Sequence, residues 1–127
     1  MDETKWPLLT ELGSSAEENV NRDPNITLIK LRLFGGKIAI FIMTEEGLPE
    51  PEQFEDRRPQ VRLQKIRESK LVPEEIISKL HTLRMVGNKA VHENYSDPDH
   101  AYYLLLKAFE IGIWLMQTYF IPAPPVF

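Results

Sequence analysis

The residues best suited to chemistry lie in one run, Leu83-Arg84-Met85-Val86-Gly87-Asn88-Lys89-Ala90-Val91-His92-Glu93. An imidazole takes or gives a proton near neutral pH. A guanidinium holds a phosphate or stabilises developing charge, and a carboxamide orients either. At helical pitch His81, Arg84, Asn88 and His92 fall within an arc of roughly 80°. Arg84, Asn88 and His92 stand at i, i+4 and i+8, so they share one stripe at the rim of the apolar face. Cleavage of RNA by its own 2′-hydroxyl needs little more than this set. The same residues also suit a structural network. In that reading Asn88 and His92 bond the backbone of the Glu93 to Asp97 turn, and Arg84 pairs with Glu17 or Glu18. Both readings stand open, because clustered polar groups occur in catalytic and structural networks alike. No residue is assigned a catalytic role outright; Arg84, Asn88 and His92 are the candidates.

Other chemistries lack their residues. His81 and His92 are eleven positions apart with no carboxylate at ligand spacing, so no metal site is expected. There is no phosphate loop with its lysine, no nucleophilic serine in a triad setting, and no acid paired with an acid-x-lysine element. The chain itself is expected to hold no cofactor.

The elements that position the run read as helices. Trp6 to Val20 carries Leu8, Leu9, Leu12, Ala16 and Val20 at helical spacing, although Gly13-Ser14-Ser15 weakens it. Asp23-Pro24 is a strong N-cap and N1 pair, and Gly47 a good stop. Between them, Ile26 to Phe34, Gly35-Gly36 and Lys37 to Met43 fit either a β-hairpin or one long helix. Ile26, Ile29, Leu33, Phe34, Ile38, Phe41 and Ile42 make a helical stripe, and no partner strand exists for a hairpin, so the helix is favoured. It carries two interior glycines at a cost of ~1 kcal/mol each. Leu48 to Pro59 reads as a loop, and Gln60 to Ser69 as a short helix with Val61, Leu63 and Ile66 for packing. Pro73-Glu74-Glu75 opens the clearest helix, with Ile76, Ile77, Leu80, Leu83, Gly87, Ala90 and Val91 on its apolar face. Asp97 caps the last helix, which turns Ala101, Leu104, Leu105, Ala108, Phe109, Gly112, Leu115, Met116 and Tyr119 to the core. The expected architecture is all-α, a four- to five-helix, mostly antiparallel bundle over residues 1–120. Residues 121–127, Ile-Pro-Ala-Pro-Pro-Val-Phe, read as a proline-rich linker towards a further region.

The 127 residues suffice for one core. The net charge of −4 argues against a dedicated nucleic-acid binder. Positive charge clusters locally in Arg57, Arg58, Arg62, Lys65, Arg67 and Lys70, a run best read as a solvated face or, less simply, as a DNA contact in a larger complex. Cysteine is absent, which fits a reducing cytosol. No signal peptide or span is visible, so a cytoplasmic location without a membrane is expected.

Three blocks in order resemble the N-terminal region of type I restriction enzyme R subunits. They are Asp23-Pro24-Asn25-Ile26-Thr27-Leu28-Ile29-Lys30-Leu31-Arg32-Leu33-Phe34-Gly35, then His81-Thr82-Leu83-Arg84 with Gly87 to Glu93, then the closing aromatic helix with Trp114 and the proline-rich end. The resemblance covers most of residues 8–127. It implies a non-catalytic docking or scaffolding domain of a motor and nuclease subunit. Its parent would translocate and cut DNA using ATP and Mg. Its partners would be the other domains of that subunit, the methyltransferase and specificity subunits, and DNA in the full complex. The second block is also similar to the HEPN superfamily of helical bundles, many of them RNases with an Arg-polar-x-x-x-His motif at a dimer interface. That likeness implies a HEPN-like bundle, a homodimer as one possible state, and an alternative role as an RNase acting through His92 with Asn88 and Arg84. Gly87 stands where that motif has its arginine.

Overall fold

The computed structural model describes residues 5–120. Five helices run in order: α1 Lys5–Asn19, α2 Pro24–Glu45, α3 Pro59–Ser69, α4 Glu74–His92 and α5 Pro98–Leu115. A short 3-10 turn, Phe54–Asp56, interrupts the α2–α3 connection, and a π-helical turn, Met116–Phe120, follows α5. No strand occurs among the described residues, so the chain is all-α. The expected linker at 121–127 lies outside the described residues.

The helix reading of the ambiguous second segment holds, and its ends show why. The Asp23 carboxylate accepts from the Ile26 amide, and Pro24 takes a first-turn position where an amide proton has no intrahelical partner anyway. At the far end Gly47 adopts φ +67°, its amide donates to Thr44, and the Leu48 amide donates to Met43. Those two bonds satisfy carbonyls that the helix would otherwise leave bare. Asp97 caps α5 in the same way, accepting from the His100 amide.

Helix α2 is the hub, touching each of the other four. A helix with neighbours on most sides must be apolar over most of its circumference. It buries Thr27, Leu28, Leu31, Gly35, Ile38, Ala39, Phe41, Ile42 and Met43. The narrow stripe expected from spacing is corrected here, since Ile26 and Leu33 lie on the exposed side. The buried Thr27 hydroxyl donates to the Ala16 carbonyl at 2.8 Å and pins α2 to α1. Among the described residues Thr27 is the one buried polar residue, and that bond satisfies it.

Helix α4 buries Ile76, Ile77, Leu80, Leu83, Val86, Gly87 and Ala90, and α5 buries Ala101, Leu104, Leu105, Ala108, Ile111 and Leu115. Two expected core residues are corrected. Val91 and Phe109 are exposed, at 42% and 51%, because the buried arcs of α4 and α5 end beside them. The π-helical turn brings Tyr119 and Phe120 onto Phe41, with ring centroids 5.4 and 5.6 Å away. The Tyr119 hydroxyl donates to Glu46 at 2.8 Å, which fastens this end of the chain to the end of α2. Burial first, and then this bond, push the phenol well above its ordinary pKa.

Candidate functional site: the seam between α2 and α4

The candidate stripe lies on α4, but the structure does not gather it into one cluster. Arg84 and His92 are eight residues apart, about 12 Å along the axis. His92 is exposed at the last turn of the helix. Asn88 is half-buried and meets Arg32 of α2, whose Nη1 points at its Oδ1 across 3.5 Å. Arg84 is half-buried one turn earlier, with Nη2 3.3 Å from Nδ1 of His81. If that nitrogen accepts, the His81 proton sits on Nε2. Burial, then the charges of Arg84 and Arg67, hold the His81 pKa below its ordinary value. The stripe thus divides into an Arg84–His81 pair, an Asn88–Arg32 pair and a solitary exposed His92.

Gly87 explains the division. A Cβ built on it would lie 2.3 Å from Cβ of Arg32 and 2.9 Å from its Cγ. Real atoms do not approach so closely, so only glycine lets α2 and α4 cross at this height. About one turn further along the seam, a Cβ on Gly35 would meet Cδ1 of Leu83 at 3.4 Å. Each glycine therefore receives a side chain from the opposite helix. An arginine at position 87 is incompatible with this crossing.

The structural contacts expected of the stripe are made by other residues. Arg84 does not pair with Glu17 or Glu18; it faces the α2–α3 side, where Pro59 and Leu80 are its neighbours in a cleft. The turn after α4 is capped from α2, not by Asn88 or His92. The Asn25 amide donates to the carbonyls of Ala90 and Tyr95, both at 2.8 Å. Tyr95 is held further by His100, its hydroxyl 2.8 Å from Nδ1, and by Lys89 over its ring at 4.6 Å.

Asn25 and Arg32 are the residues that reading α4 alone misses. A signal was present for Arg32, a lone cation in the apolar run Leu31 to Phe34.

Half of the basic run is engaged. Arg62 pairs with Glu50 at 3.0 Å, Arg67 with Glu74 at 3.0 Å, and Arg57 donates to the Pro51 carbonyl. Among the described residues no three histidine or acidic side chains are placed to hold a metal ion. No described helix is long and apolar enough to cross a membrane. An apolar groove of about 440 Å³ lies between α1, α2 and α5. Leu9, Leu31, Phe34 and Leu105 line it, and Phe109 and Ile113, both more than half exposed, form its rim.

Over 117 residues the chain is 32% identical to the type I restriction enzyme EcoKI endonuclease subunit of Escherichia coli strain K12. This chain is a relative of that type I restriction endonuclease subunit. The match takes in 89% of the chain but only 10% of the subunit, so the chain spans about a tenth of its relative's length. No family model and no solved structure matches it. The blocks Asp23 to Gly35 and His81 to Glu93, which carry the resemblance to restriction endonuclease subunits, are the two sides of one helix seam. Arg32 meets Gly87 and Asn88, Gly35 meets Leu83, and Asn25 caps the end of α4.

Proposed function

We propose that this bundle is a non-catalytic docking domain of a type I restriction endonuclease subunit, packed against the remainder of that subunit. The observation that carries the reading is the match itself, a domain-sized piece of a polypeptide roughly ten times longer. The seam supports it. The residues resembling a nuclease motif serve the α2–α4 crossing, and His92 stands alone. The parent would use ATP and Mg to translocate and cut DNA, with the methyltransferase and specificity subunits as further partners, in the cytoplasm. This domain contributes placement.

The surface proposed for docking is the groove between α1, α2 and α5. Its walls are apolar, and Phe109 and Ile113 extend them outwards. Exposed apolar patches of this kind mark interaction sites, and the occupant proposed is the rest of the same subunit. The test is a full-length subunit lacking residues 5–120. Loss of assembly or of ATP-dependent DNA cleavage is expected. Normal assembly and cleavage by the shortened subunit would refute the role. An RNase role predicts that the purified chain cleaves single-stranded RNA and that His92→Ala does not; the docking reading expects no cleavage by either.

A further inference from the structure

A second concavity, about 190 Å³, lies between α2, α3 and α4, further along the seam from Asn25. Its charge is one-sided. Arg32, Lys37, Arg62 and Arg84 line it, and no acidic residue does. Arg62 is neutralised by Glu50. Arg32, Lys37 and Arg84 enter no ion pair among the described residues. The rest of the wall is apolar, including Leu33, Ile40, Leu63 and Leu80, so the charges act through a poorly screening surface.

The two guanidiniums rest in poor hydrogen bonds. The Nε of Arg32 and the Nε of Arg84 are both buried and have no acceptor. Their terminal nitrogens reach only neutral groups, at 3.5 and 3.3 Å. A buried donor left without an acceptor costs roughly 1–3 kcal/mol. The natural acceptor for the edge formed by Nε and Nη is a pair of oxygens on one phosphorus or carbon. Each side chain must turn slightly to present that edge, and no charged partner opposes the turn. The stem of Arg32 is already fixed against Gly87.

We propose that this cleft binds one phosphate group, carried as a monoester. Three uncompensated cations match a dianion better than a singly charged carboxylate or phosphodiester, and a monoester is mostly dianionic above pH 6–7. The volume is small for a whole drug-sized ligand. It admits the phosphate and leaves most of its carrier outside. The acidic chain, at net −4, opposes close approach of a long polyanion such as duplex DNA. This site is separate from the docking groove, and its test does not depend on the docking role.

The test uses the 127-residue chain in an oxyanion-free buffer at pH 7.5 and constant ionic strength. Isothermal titration with inorganic phosphate, adenosine 5′-monophosphate and an unphosphorylated DNA duplex compares the sources. Saturable binding of phosphate and of the monophosphate at one site is expected. Arg84→Gln should weaken it by ~10-fold or more, the worth of a charge-assisted pair. Lys37→Gln, an exposed position that leaves folding intact, should weaken it several-fold, and Lys70→Gln should leave it unchanged. No saturable binding of either small phosphate, or equal binding by wild type, Arg84→Gln and Lys37→Gln, would overturn the proposal. So would Arg84-dependent duplex binding that neither small phosphate displaces.

Discussion

At the scale of single residues, Gly87 decides how the candidate site is read. A methyl group there would collide with the fixed stem of Arg32, so Gly87→Ala is expected to cost roughly 1–3 kcal/mol, the range for overpacking a tight contact. Gly36, on the same seam's flank, has nothing within 4 Å of the equivalent point. Gly36→Ala should therefore stabilise by about 0.5–1 kcal/mol through helix propensity alone. Urea unfolding of the two variants beside wild type checks both, and two shifts of the same sign would contradict the packing account. The sequence alone placed Arg84, Asn88 and His92 correctly on one helix face. It could not show that Arg32, 56 positions earlier, claims Asn88, because a helical wheel holds no information about the helix opposite. For the same reason position 87 read as a missing arginine, when its smallness is what the crossing requires.

At the scale of elements, helix ends were legible and helix faces less so. Caps are local chemistry, and Asp23, Gly47 and Asp97 act where their types suggest. Which arc a helix buries depends on how many neighbours surround it, so the broad buried face of α2 and the exposed Val91 and Phe109 were not readable from spacing. The cap on α4 is a tertiary one, and Asn25→Ala should remove it. Losing two bonds that join the end of α4 to the start of α2 is expected to cost about 1–3 kcal/mol. Amide exchange at Tyr95 and its neighbours should accelerate before the rest of the bundle responds. The pairing of α4 with itself at Arg84 and His81 gives a pH signature. In the folded chain the His81 pKa is depressed, by burial first and then by Arg84 and Arg67. The unfolded chain therefore binds the proton more readily, and stability contributed by neutral His81 is lost as pH falls through about 6.5. His81→Asn keeps an acceptor for Arg84 but does not titrate. Thermal melts from pH 7.5 to 5 should show a shallower acid-side decline in that variant, and identical slopes would exclude His81 as a contributor.

At the scale of the whole molecule, the bundle is held by its own core and still presents apolar surface along the α1–α2–α5 groove. All-α class and helix number were readable from periodicity and caps. The groove was not, because it arises where three helices fail to close over one another. The relation to a restriction endonuclease subunit was readable from the ordered blocks, and the structure gives those blocks a physical meaning as two sides of one seam. Docking through the groove makes the central claim measurable in trans. The purified chain, its Phe109→Asp/Ile113→Asp double variant and the remainder of the proposed parent subunit, expressed without residues 5–120, would be mixed and their affinity measured. Both substitutions fall on exposed positions, so the variant should fold as wild type does. Binding of the wild-type chain, weakened by at least ~10-fold in the double variant, is the expected result, since burying two unpaired carboxylates against an apolar surface costs more than the ~1.4 kcal/mol of a tenfold change. No binding by the wild-type chain, or equal binding by both forms, would contradict the account.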